Sequence, residues 1–140
     1  MAEPEKPADI RSRVVVAYLD GRRLKGYVYN FSPLNERFRL FPQDEAPHTK
    51  GVDVQVKDLK AVFIVKDFAG NPGYKESQRV DPSRVGRRIE VILADGEKII
   101  GTTDAYNPQK LGFFISPADP ESNTLRTFVI KRNAKHIRFP

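Results

Sequence analysis

Displaced by 75 residues, the chain aligns with itself without a gap. Residues 20–26 read DGRRLKG and residues 95–101 read DGEKIIG. Identical pairs continue well beyond that stretch, through Arg13/Arg88, Val16/Val91, Gly26/Gly101, Pro33/Pro108, Phe38/Phe113, Pro42/Pro117, Val54/Val129 and Lys60/Lys135. Apolar exchanges lie between them, such as Val14/Ile89, Leu24/Ile99 and Val62/Ile137. An internal repeat has to be settled first, because it decides what counts as a structural unit. We read a tandem duplication within 140 residues.

Each copy reads as five short strands. In copy one, RVVVAYL and RLKGYVYNF flank Asp20-Gly21, and Asp-Gly between β-branched runs is a strong hairpin signal. Gly26 and Gly101 fall inside a strand, where glycine marks a bulge, a bend or a close backbone approach. Pro33 and Pro108 end the second strand. RFRLF and GFFIS form the third, closed by Pro42 and Pro117. VDVQV and RTFVI follow a polar loop, and after a short Lys-containing turn come AVFIV and HIRF. Helical periodicity is nearly absent. These boundaries give a tail over 1–9, expected to be disordered, copy one over 10–68, a Gly/Pro/Ser connector over 69–84 and copy two over 85–140.

Alternation places Val14, Val16 and Tyr18 on one core face, matched by Ile89, Val91 and Leu93. The other face diverges: Val15 stands against Glu90, Tyr27 against Thr102 and Tyr29 against Asp104. Copy one is apolar on both faces, so Tyr27, Tyr29, Phe63 and Val65 are expected to form an interface with copy two, the connector or a second chain.

The net charge is +6, shared as 13 basic minus 10 acidic residues in 1–75 and 11 minus 8 in 76–140. That balance admits polyanionic partners, although interspersed charges also serve solubility. The densest basic cluster is Arg84, Arg87 and Arg88, and with Arg11 and Arg13 it is the candidate anion site. Cys is absent, which removes disulfides and thiol chemistry. The two histidines, His48 and His136, occupy unmatched positions, and no nucleotide-binding or hydrolase signature occurs. No metal, cofactor or catalysis is expected. No apolar run is long enough to span a bilayer and the first residues do not read as a secretory signal, so a cytoplasmic location is expected.

The order strand, hairpin, strand, loop, strand, turn, strand resembles SH3-like and Sm-like small barrels. That resemblance implies an all-β fold of two tandem five-stranded barrels packed together, with RNA binding or self-association as functions. Asn30-Phe31-Ser32 is similar to the nucleotide-binding motif of PilZ domains, with Asn35 where that family has glycine. Arg84 and Arg88 match its paired-arginine spacing, but Ala105-Tyr106-Asn107 does not continue the motif. The PilZ likeness implies a cyclic di-GMP ligand contacted by these arginines with Asn30 and Ser32. The whole two-copy pattern also resembles an uncharacterised bacterial family. Together these readings give a non-enzymatic binding or adaptor module with a protein partner, a nucleotide or RNA as the partner classes.

Overall fold

Short β-branched and aromatic runs punctuated by Asp-Gly and Pro leave the backbone little alternative to antiparallel strands. The computed structural model describes residues 11–43, 50–80, 85–104 and 106–140. The expected tail over 1–9, Arg84 and His48 lie outside the described residues. Copy one supplies β1 (Arg11–Tyr18), β2 (Arg23–Tyr29), β3 (Arg37–Pro42), β4 (Val52–Gln55) and β5 (Leu59–Val65). Copy two supplies β6 (Arg87–Leu93), β7 (Lys98–Thr103), β8 (Gly112–Pro117), β9 (Thr124–Ile130) and β10 (Ala134–Arg138). One 3-10 turn precedes the last strand of each copy, at Val56–Asp58 and Lys131–Asn133.

The duplication is visible in the hydrogen-bond register. Val14 faces Gly26 and Gly26 faces Pro42, while Ile89 faces Gly101 and Gly101 faces Pro117. Both Asp-Gly hairpins are built alike. Gly21 and Gly96 take φ of 95° and 92°, and the preceding aspartate accepts the N–H two residues on, Arg22 to Asp20 and Glu97 to Asp95.

The expectation of two closed SH3-like or Sm-like barrels is overturned, and the PilZ-like architecture goes with it. The ten strands form one open sheet in the order β10-β6-β7-β8-β9-β5-β1-β2-β3-β4. Closing copy one would require β5 to pair with β4. Instead β5 has β1 on one edge and β9 of copy two on the other, with Val62 opposite Phe128 and Phe63 opposite Thr127. A strand has two hydrogen-bonding edges, so the exchange leaves β4 and β10 as the sheet's free ends.

Two cores form, one on each side of the central strands. Val62, Ile64, Phe128 and Ile130 join Val14, Val16, Tyr18 and Leu40 in the first. Ala61, Phe63, Val65 and Val129 join Ile89, Val91, Leu93 and Phe113 in the second. Every residue of β5 is buried, whereas its counterpart β10 is largely exposed. Neither core is assembled from one copy alone.

Candidate functional site

The outer faces of the two copies carry equivalent positions with different fates. In copy one the basic side chains of that face are already partnered. Arg13 donates to the carbonyl of Lys66 at 2.8 Å, Lys25 to that of Phe68 at 2.8 Å, and Arg23 pairs with Glu97 at 3.2 Å. Val15 packs on the second core. The counterparts in copy two are Arg88, Ile100, Lys98 and Glu90. They border a cavity of about 620 Å³ between residues 78–80 of the connector and strands β6 and β7. Arg79, Val80 and Pro140 complete its rim.

The electrostatics of this groove are uneven. Glu90 accepts from Arg138 and pairs with Lys98 at 3.3 Å. Arg138 first, then Lys98, hold its carboxyl below the usual range. Among the described residues Arg79 and Arg88 keep no carboxylate partner. Two guanidinium forks therefore face a cavity that also exposes aliphatic surface.

A buried carboxylate fixes the connector wall. Asp119 accepts the Tyr74 hydroxyl at 2.6 Å, the Ser77 N–H at 2.8 Å and the Glu121 N–H at 2.9 Å. These donors, led by Tyr74, lower the Asp119 pKa, and the same bond pushes Tyr74 up to about 12. Asn123 adds a reciprocal clasp, accepting from Asp67 N–H and donating to its carbonyl. The turn-rich loop after β8 thus straps the connector in place.

A second polar cluster joins the copies. Lys60, on β5, has a buried side chain that donates to Asp95 and lies 3.3 Å from Glu97. Asp95 is lowered first by Lys60 and then by the Glu97 N–H. Its counterpart Asp20 pairs instead with neighbouring Arg22. The pairing is asymmetric in energy, because the ammonium is buried while the carboxylates are half in water. Lys60→Met, which keeps the aliphatic stem, is expected to change stability by less than about 1 kcal/mol. Asp95→Ala combined with Glu97→Ala strands the ammonium and should cost about 2 kcal/mol after discounting for solvent. Urea unfolding of both variants checks the order, and a reversed order would refute it.

The residues singled out in the sequence are not brought to one place. Arg88 lines the groove, but Arg87 stacks over Phe139 at 4.0 Å. Arg11 lies over Tyr27 at 4.2 Å and, with Arg13, borders a separate cavity of about 210 Å³ beside Val65 and Leu125. Asn30 takes a left-handed φ of 53°, and Ser32 accepts the Leu34 N–H in a local turn. Neither lines the groove. Tyr27 packs edge-on against Phe68, Tyr29 against Phe41, and Phe63 and Val65 are buried in the second core. Sequence reasoning missed Arg79, Lys98 and Glu90. The signal was the contrast of Val15 with Glu90, an apolar residue in one copy against a charged one at the same place in the other.

Among the described residues no group of three or more His, Cys, Asp or Glu could hold a metal ion, and no helix is long and apolar enough to cross a membrane. No curated protein and no solved structure matches the chain. A family model does, over residues 6–139, a span that takes in the connector and all ten strands; the chain belongs to that family, described as a family of unknown function, DUF6982.

Proposed function

We propose that this protein is a binding module without catalysis of its own, and that it takes an acidic, partly apolar segment of a protein partner in the copy-two groove. The observation that carries the reading is the contrast between equivalent faces: in copy one Arg13, Lys25 and Arg23 are held by Lys66, Phe68 and Glu97, while among the described residues Arg79 and Arg88 of the copy-two groove have no carboxylate partner. Guanidinium forks suit carboxylates in bidentate geometry. Val80, Ile100 and Pro140 supply aliphatic contact between them. A peptide alternating acidic and aliphatic side chains fits that mixture.

A nucleic acid fits it less well. Single strands gain affinity by stacking bases on aromatic rings, and among the described residues no aromatic side chain lines this groove.

Fluorescence anisotropy with a labelled peptide alternating Glu and Val tests the reading. Binding should weaken as salt rises and fall at least about tenfold, about 1.4 kcal/mol, in the Arg79→Ala/Arg88→Ala variant. Unchanged affinity in that variant, or tighter binding of labelled single-stranded RNA, would overturn it.

A further inference from the structure

The seam between the copies joins a fifth strand to a fourth, β5 of copy one to β9 of copy two. The free ends of the sheet are the same two kinds of strand, β10 and β4. A second seam of this geometry, from β10 of one molecule to β4 of the next, is therefore open to the backbone. It would be a head-to-tail contact, which builds rings or filaments rather than closed pairs. We infer that this latent self-association surface is blocked by the side chains on the two edges, so that assembly stops at two copies within one chain.

Carrying the observed register forward by 75 residues sets His136 opposite Val54, Ile137 opposite Asp53 and Arg138 opposite Val52. In the existing seam these places are held by Ala61 with Val129, Val62 with Phe128 and Phe63 with Thr127. Phe63 and Phe128 are the aromatic anchors there, 8% and 1% exposed. Their counterparts are Arg138 and Asp53. Arg138 is tied to Glu90 and Asp53 to Arg37, the latter at 2.8 Å. A new seam would have to strip water from both charges and would gain no aromatic burial in exchange.

Backbone chemistry adds to the block. Pro140 stands where Val65 pairs with Thr124, and proline offers no N–H to a ladder. β4 spans four residues and β10 five, and short, charged edges are how sheets avoid pairing edge to edge. The polar cluster beside the seam is kept only in part, because Glu97 is matched by Arg22, which already holds Asp20. Lys60 and Asp95 have identical counterparts in Lys135 and Asp20, both exposed. The block therefore resides in the strands and in Arg22 beside them, and restoring these residues should lift it.

Sedimentation velocity of the full chain provides the test. The wild type should sediment as a monomer at high micromolar concentration. One variant receives copy-one residues on β10, as His136→Ala, Arg138→Phe and Pro140→Val. A second receives copy-two residues, as Asp53→Phe on β4 and Arg22→Glu in the first hairpin. Each alone keeps one blocked edge and should stay monomeric, while their mixture should form a discrete one-to-one dimer. Folded variants, verified by circular dichroism, that fail to dimerise on mixing would overturn the inference. Should either variant not fold, hydrogen exchange on the wild type still decides. Amides of residues 52–55 and 134–138 should exchange at rates independent of protein concentration, and slowing with concentration would overturn the inference.

Discussion

Phe128→Ala is expected to destabilise the protein by about 3–5 kcal/mol, the range for truncating a fully buried phenylalanine. The side chain is 1% exposed and belongs by sequence to copy two, yet it fills the first core. It meets Phe31 and Phe114 at centroid distances of 5.5 and 5.1 Å, so the ring cannot be replaced by collapse of small flexible neighbours. Its backbone is hydrogen-bonded into the centre of the sheet, between β8 and β5. Loss of the ring should therefore weaken the first core and the seam between the copies together. Urea unfolding monitored by far-UV circular dichroism and by tyrosine fluorescence should show one transition, moved to lower denaturant for both probes. A loss under about 1.5 kcal/mol, or a shift confined to one probe, would show that the ring does not anchor the first core to the seam.

That shared anchor marks the boundary of what the sequence discloses. The repeat, the Asp-Gly hairpins and the core face of Val14, Val16, Ile89 and Val91 are local facts, written in turn chemistry and period-two alternation. Pairing of β5 is not local. Its free edge presents the same N–H and C=O groups to β4 of its own copy or β9 of the other, and nothing in LKAVFIV names the partner. The choice is recorded indirectly, in the contrast between a strand apolar on both faces and AKHIR, its polar counterpart. Two equivalent barrels would not need that contrast, whereas a central strand and an edge strand of one sheet require it.

The groove was harder to read for a related reason. Arg88 stood out because it clusters in sequence with Arg84 and Arg87, but strand alternation sends Arg87 to the opposite face, over Phe139. Arg79 reaches the groove from the connector, and Lys98 from the strand beside Arg88. Such a site is assembled across the sheet and from a strap, so neither spacing nor charge density along the chain could have announced it.

Gly101→Ala should be the most damaging single-methyl change in the hairpins, costing about 3 kcal/mol and lowering Tm by roughly 10 °C. A Cβ at this position would lie 1.9 Å from the carbonyl oxygen of Ser116 and 2.9 Å from Ile115 Cγ2. The first contact is with backbone, which cannot swing aside as a side chain can. Relief requires β7 and β8 to separate where Gly101 pairs with Pro117 and Thr102 with Ser116, the two register pairs that join them. The same approach recurs at Gly26, 2.4 Å from the Phe41 oxygen, so copy one is expected to respond in kind. Gly96→Ala is the discriminating control. Its φ is 92° but open space surrounds it, so only backbone strain of about 1–2 kcal/mol is incurred. Thermal unfolding of the two variants side by side separates close approach from conformational freedom. If Gly96→Ala proves as costly as Gly101→Ala, the glycine shared by DGRRLKG and DGEKIIG is a matter of turn geometry, and the crossing of the second and third strands tolerates a methyl group.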